Sequence, residues 1–427
     1  MATLEIRNIG PIKGVQLTLN KINVFTGLQS SGKSTIAKII SYCTWVEKDA
    51  ATNQSLKAYQ ENPLLFKEHI ENFHKMKGYF RKDSFISYKS DVLEIVWENG
   101  QGVLNWVNQY AYNRSKIAYI PSERNMVILP EVRKVEFGNT NVRSFLFDWF
   151  DARKKYPQDN KLSILNLDVE YYFLEGNTNE EDRIKGVSNG VEYDILLSNA
   201  SSGLQSVTPL VAMIEYLTKW IYNEDSTSFE REEKQNEVYR YLVDEKVLKQ
   251  YFKKNSFTVE ERSEMVAQLN EKLRNNDGEV RALLNLVKEL SKKLFATQNA
   301  QFIIEEPEQN LFPEAQRDLV YHLLENCLHR DDNRLTITTH SPYILYALNN
   351  CMLGGLVAHK MSEQDKNKLK CLSSLIEPKY VSAYQISDGE ITKIQQKEDK
   401  LIGANFFDKK MKELMDDFYV MLNYYGK

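Results

Sequence analysis

Apolar and polar positions alternate twice at the start of the chain. Leu4, Ile6 and Ile9 form one run, Gly10-Pro11 breaks it, and Val15, Leu17 and Leu19 form the next, which predicts two half-buried strands. Ile22, Val24 and Phe25 then read as a short apolar strand. After Gly32 the period changes: Ile36, Ala37, Ile39, Ile40 and Cys43 recur at helical spacing. The same reading predicts an amphipathic helix over 55–75, short strands between 84 and 120, and a helix over 142–156. A second β patch is expected over 165–197, with Asn189-Gly190 as a hairpin turn.

Between 223 and 300 the pattern shifts again. Acidic and basic side chains are nearly balanced there, with Gly278 the one internal glycine and no proline. Such balance reads as a solvated helix face. Thr258 and Glu261 have capping-box spacing ahead of Met265, Leu269 and Leu273. Val280, Leu283, Leu284, Val287, Leu290 and Leu294 form one apolar stripe. A head-only fold has no evident use for that stripe, so contact with another subunit or a partner protein is expected. The chain thus divides into an N-terminal head part over 1–222, an inserted helical hairpin over 223–300, and a C-terminal head part over 301–427.

A length of 427 residues suggests two to three domains at roughly 150 residues each. Lys+Arg total 55 against 59 Asp+Glu, a net charge of −4. That excludes a uniformly basic nucleic-acid coat; a local basic groove stays open, but DNA contact is not indicated by charge. No apolar run reaches the roughly 18 residues of a membrane span, and the start, MATLEIRNIG, lacks a secretory pattern. Cys43, Cys327, Cys351 and Cys371 form no CxxC pair and read as reduced thiols. A cytoplasmic protein without membrane contact is expected.

Candidate chemistry begins at Gly27-Leu28-Gln29-Ser30-Ser31-Gly32-Lys33-Ser34-Thr35, which fits GxxxxGK[ST] between an apolar strand and a helix. In that pattern backbone amides cradle phosphates at a helix N-terminus, the lysine reaches the β and γ oxygens, and the serine hydroxyl meets Mg²⁺. Phe302-Ile303-Ile304 runs into Glu305, Glu306, Pro307 and Glu308: one acid to hold the metal shell, the next to position or deprotonate water. The β-branched run 335–339 ends in His340, at the right edge to meet the γ-phosphate. Ser201, Ser202 and Gly203 open an amphipathic helix and would cap it.

These motifs, in this order, resemble ABC/SMC-type ATPase heads over nearly the whole chain. The opening LEIRNIGPIKGVQLTLNKINVFTGLQSSGKSTIAKI and the strings YIPSERN, ASSGLQSVTPL, IIEEPEQNLFPEAQ, TTHSPYIL and VSAYQISDGEITKI are similar to OLD-like, AAA-family ATPases of bacterial anti-phage defence, most of all the Septu and PARIS ATPase subunits. The resemblance implies an α/β P-loop head with a β-rich N-terminal lobe, a mainly parallel sheet flanked by helices, and a helical insertion between signature and Walker B. It implies ATP and Mg²⁺, with Gly27, Gln29, Ser30, Ser31, Gly32, Lys33, Ser34 and Thr35 at the nucleotide. Glu305 becomes the Walker B acid beside Ser34 at the metal, Glu306 the catalytic carboxylate with Lys33, and His340 the switch residue. Ser201, Ser202 and Gly203 become a signature acting on the opposite subunit's nucleotide. Three departures stand out: Glu305 where most such proteins have Asp, SSGLQ in the signature, and no Q-loop glutamine, the stretch around Ser122, Glu123 and Arg124 standing in its place. A homodimer or higher homo-oligomer follows, with a separate effector nuclease or toxin, since only the short tail after His340 remains and it carries no nuclease pattern. The alternative is a DNA-repair or chromosome-maintenance ATPase that clamps DNA.

Overall fold

Strands β1 (Thr3–Ile9) and β2 (Ile12–Thr18) pair antiparallel, Leu4 opposite Leu17 and Ile6 opposite Val15, so the alternation of the sequence buries one face. The computed structural model describes residues 1–129, 131–132, 138–176, 180–188, 190–223 and 229–425. Strand β3 (Ile22–Gly27) is buried along its whole length, as its unbroken apolar run requires. It lies between β13 (Arg334–Thr339) and β14 (Val381–Ser387), parallel to both. Beyond β13, the strands β12 (Asn299–Glu305) and β7 (Ser115–Ile120) continue the parallel run.

On the other side, β15 (Glu390–Lys393) joins β14 to the N-terminal strands, which extend through β4 (Phe80–Lys89), β5 (Leu93–Glu98) and β6 (Gln101–Trp106). The predicted β-rich lobe and the parallel half are therefore one sheet of 11 strands, ordered β6-β5-β4-β1-β2-β15-β14-β3-β13-β12-β7. A second, antiparallel sheet holds β8 (Leu162–Ser163), β9 (Val169–Leu174), β10 (Glu181–Ser188) and β11 (Val191–Leu196). Of its predicted Asn189-Gly190 turn, Asn189 lies outside the described residues and Gly190 has the left-handed φ of 77°.

Helix α1 (Lys33–Asn53) leaves β3 through the predicted glycine-rich loop. The helix expected over 55–75 is instead two, α2 (Lys57–Glu61) and α3 (Leu65–Phe73). Pro63 disfavours helical backbone at Asn62, which is extended at φ −127° and accepts from the Leu64 amide at 3.1 Å. Helix α4 (Asn141–Arg153) is capped by Thr140, and α5 (Ser202–Lys219) by Ser201.

The segment after α5 corrects an expectation. It contains α6 (Phe229–Val243), a π-helical step at Asp244–Leu248, α7 (Lys249–Tyr251), α8 (Val259–Arg274) and α9 (Gly278–Phe295). The Thr258–Glu261 capping box forms as predicted. The α9 stripe, however, does not stand uncovered within the chain. Val280, Val287, Leu290 and Leu294 are buried in the same core as Ile36, Ile39 and Cys43 of α1, with Leu283 and Leu284 at its margin. Each fully buried side chain of this kind is worth roughly 1.5–3 kcal/mol, which explains why the stripe folds back on its own chain.

Helices α10 (Pro313–Cys327) and α11 (Pro342–Val357) flank the parallel half, and α12 (Glu363–Lys366) precedes β14. The last helix, α13 (Phe406–Leu422), has no buried residue, and Met411, Leu414, Phe418 and Met421 are exposed. All four cysteines are buried and free. Among the described residues no helix is long and apolar enough to cross a membrane.

Candidate nucleotide site

The predicted chemistry gathers at the carboxyl ends of β3, β13 and β12. The loop leaving β3 needs unusual backbone: Gly27 has φ 148°, Ser30 φ 60° and Gly32 φ 109°. A Cβ on Gly27 would stand 2.3 Å from the Ile386 carbonyl oxygen, and one on Gly32 2.3 Å from Ile12 Cδ1. Leu28, Gln29 and Ser30 are exposed at the tip, while Gly32, Lys33 and Thr35 are buried and Ser34 half-buried in the first turn of α1. Lys33 Nζ donates to the Gly27 carbonyl at 3.1 Å and the Leu28 carbonyl at 2.7 Å. Burial lowers its pKa to about 8, against the pull of Glu306 and Glu308.

Phe25, Thr338 and Glu305 occupy one row of register across β3, β13 and β12, with neighbours about 4.8 Å apart. Glu305 is buried, and among the described residues its Oε1 has no hydrogen-bond partner; neither do Thr26 Oγ1, Ser31 Oγ and Thr338 Oγ1. Glu306 stands at φ 44°, rare for a residue with a side chain. Its amide donates to the Thr338 carbonyl at 2.9 Å. Its Oε1 lies 3.4 Å from His340 Nε2. Burial holds His340 below the usual histidine range, Lys33 adds to that, and Glu306 opposes it. The His340 amide donates to Glu308 Oε1 at 2.6 Å, and burial raises the Glu308 carboxyl. Lys33, Glu306 and His340 thus converge, with Glu305 one strand further out.

Ser201, Ser202 and Gly203 sit elsewhere on this surface. Ser201 Oγ caps α5 by accepting from the Leu204 amide at 3.4 Å. Gln205 Nε2 folds back to the carbonyls of Ser198 and Ala200 at 2.8 and 3.0 Å. Gly203 meets the loop after Glu308: a Cβ there would be 2.9 Å from the Asn310 carbonyl oxygen. Ser201 and Ser202 are exposed.

Two residues stand at the site to which the sequence assigned no role. Glu308 carries the switch-strand contact just described; its signal was the third acid of the EEPE run. Arg124 lies in a 3₁₀ turn after β7 (Ser122–Ile128), is 0% exposed, and donates to five backbone carbonyls, those of Glu305, Glu306 and Pro307 and those of Pro121 and Ser206. Nothing in the chain's periodicity marks it.

A cavity of about 680 Å³ adjoins Gly27 and Leu28, walled by Gln385, Lys393, Phe406, Lys409 and Lys410. A smaller one, about 220 Å³ and lined by Glu47, Tyr88 and Arg334, lies at the opposite ends of the strands and shares none of the site residues. Among the described residues no group of three or more His, Cys, Asp or Glu side chains could hold a metal by itself.

No protein-family model matches this sequence, and no curated protein does. Similar solved structures include two of the recombination mediator protein RecF of the RecFOR pathway. The RecF-ATPrS structure is 10% identical over 92% of this chain and 97% of that one, at a TM-score of 0.28. The RecF-ATP structure is 11% identical over 92% and 96%, at 0.30. At TM-scores this low neither likeness bears on what this chain binds or does.

Proposed function

We propose that this chain is a magnesium-dependent ATP hydrolase with an ABC-type head. One observation carries the reading: Lys33, Glu306 and His340 meet at a glycine loop that opens the 21-residue helix α1. The loop amides and the helix N-terminus suit phosphate oxygens, and Lys33, released from Gly27 and Leu28, reaches the outer ones. Glu306 accepts the proton of the attacking water, and the largely neutral His340 beside it donates to the γ-phosphate.

The residues fit a divalent cation. Ser34 offers a hydroxyl, and Glu305 Oε1 is a buried carboxylate oxygen that makes no close hydrogen bond among the described residues, with the Tyr119 hydroxyl beside the carboxylate. A protein set this small matches Mg²⁺, which takes most of its ligands from phosphates and water. Bound there, the ion would neutralise charge building on the phosphates.

The exposure of Ser201 and Ser202 at the start of α5 supports a trans role in which a second copy's nucleotide meets Ser201, Ser202 and Gly203. The motif strings shared with anti-phage ATPases support a use of that hydrolysis in controlling a separate effector protein, and the net charge of −4 favours a protein over DNA as the partner.

Lys33→Ala and Glu306→Gln test the core of this reading. Lys33→Ala should lose nucleotide binding. Glu306→Gln should bind ATP yet release phosphate some 10²–10⁴-fold more slowly, the usual worth of a positioned base. Full turnover by Glu306→Gln removes that residue from catalysis and refutes the proposal.

A further inference from the structure

We infer that Arg124 is a positioning residue that ties the Glu306 turn to the start of helix α5, so that displacement of Ser201–Gly203 alters where the Glu306 carboxylate points. The inference rests on the hydrolase reading above. Arg124 Nε donates to the Ser206 carbonyl at 3.2 Å. Nη1 donates to the carbonyls of Pro121 at 3.4 Å and Glu305 at 2.9 Å. Nη2 donates to those of Glu306 at 2.9 Å and Pro307 at 3.2 Å. Three segments far apart in sequence thus share one planar group, whose fixed fork fixes their spacing.

The acceptors are telling. The carbonyls of Glu305, Glu306 and Pro307 belong to the peptide units around a residue held at φ 44°. A non-glycine residue in that region stores of order 1–3 kcal/mol and persists only where its surroundings over-determine it. The Thr338 carbonyl holds the turn on its amide side, and Arg124 holds it on its carbonyl side. If the latter is lost, the turn is free to relax and carry the carboxylate away from His340.

The other end of the clamp is Ser206, in the first turns of the helix that Ser201 caps. The same helix touches the same loop a second time, at Gly203 against Asn310. So the start of α5 cannot shift without pulling on 305–310. A plain core plug would not need a charge, since burying a guanidinium costs more than burying an apolar side chain of equal volume. Burial draws the Arg124 pKa down to about 10, and the nearby Glu305, Glu306 and Glu308 carboxylates keep it charged at neutral pH.

Arg124→Lys keeps the charge, but its single nitrogen cannot span Ser206 and Glu306 together. In steady-state hydrolysis and calorimetric ATP titration it should show a Kd within about 3-fold of the parent and a kcat lower by about 10²-fold, the effect of an ångström-scale misplacement. A parent-like kcat overturns the inference. So does a parallel loss of Kd and kcat, which marks a merely structural plug. Glu306→Gln runs alongside: if it hydrolyses ATP normally, the hydrolase reading fails, whereas an inactive Glu306→Gln beside a fully active Arg124→Lys sinks the clamp alone. Should Arg124→Lys not fold, hydrogen exchange on the unaltered protein decides, at a dilution where it is a single chain. Adding a non-hydrolysable ATP analogue with Mg²⁺ should slow amides at both 305–309 and 202–207. Slowing at 305–309 only overturns the clamp.

Discussion

Alanine at Gly27 would place a methyl group where the central sheet allows none. Gly27 has φ 148°, and its added Cβ would lie 2.3 Å from the Ile386 carbonyl oxygen and 3.1 Å from Ser31 Oγ. That is roughly 1 Å inside ordinary contact. The oxygen cannot swing aside, because Ile386 is the register partner of Gly27 in the β14–β3 ladder. The backbone strain costs of order 1–3 kcal/mol, and overpacking a comparable amount, so a total of about 2–6 kcal/mol is expected. If the loop relieves the clash by moving, phosphate-facing amides move with it. Each hydrogen bond to a charged group is worth about 1.5–3 kcal/mol, so every one lost weakens ATP binding by roughly 10- to 150-fold. Gly32→Ala should be milder in stability, since its worst neighbour is the flexible Ile12 Cδ1 and mainly the φ of 109° penalises it. Gly14→Ala, with no atom within 4 Å, is the control. Denaturation midpoints and calorimetric Kd for an ATP analogue should rank the variants Gly27, Gly32, Gly14 from most to least damaged. A Gly27→Ala chain that matches Gly14→Ala in both measurements would refute the reasoning.

Two pH effects follow from buried cations and bases. Lys33, at about pKa 8 in the free protein, is losing its charge above pH 8. ATP affinity should therefore fall toward tenfold per pH unit from there, with proton uptake on binding near pH 8.5; equal binding heats across buffers of different ionisation enthalpy would contradict this. His74 and His322 are buried neutral, with burial pulling them from 6.5 to about 3 and about 4. Their contribution to stability is complete above 6.5 and is lost as pH falls toward those values, about 2 kcal/mol each by pH 5. Glu47 and Glu308, raised by burial, act in the opposite sense, so the decisive comparison is with a His74→Gln/His322→Gln variant, whose denaturation midpoint should fall less between pH 7.5 and pH 5.

Local chemistry was legible and contact partners were not. The β3–loop–α1 unit could be read because the hydrophobic period switches from 2 to 3.6 across Gly27–Lys33, and both periods are properties of the chain itself. The break at Pro63 was equally present in the sequence, and the apolar spacing over 55–75 simply outweighed it in a pattern count. The α9 stripe is a different kind of miss. Helical periodicity says that Val287 and Leu290 must be covered, but the covering face of α1 lies some 250 residues away in sequence. Helix α13 is the converse: Met411, Leu414 and Phe418 have the same kind of spacing as the α9 stripe, yet they remain exposed. Arg124 lies within the YIPSERN string, which marked the stretch but not the role of this residue, because its acceptors are backbone carbonyls, which carry no residue identity.

The site's own mismatches bear on the proposed ligand. Lys33, the cation of the loop, is occupied with the carbonyls of Gly27 and Leu28. A few ångströms of sheet away, Glu305 Oε1 and Glu308 Oε2 are buried and make no hydrogen bond among the described residues. An anion alone would satisfy the lysine and add repulsion at the two carboxylates, and a cation alone would do the reverse. Leaving each such oxygen unpaired costs about 1–3 kcal/mol, whereas the two neutral carbonyl bonds that Lys33 gives up are worth only about 0.5–1.5 kcal/mol each. A phosphate chain carrying a hydrated divalent cation answers both sides at once, and it exchanges weak bonds for charge-assisted ones. The strained Glu306 turn sits between the two halves, held from below by Thr338 and from behind by Arg124. The carboxylate is therefore held in place before any ligand arrives, which agrees with the role proposed for it.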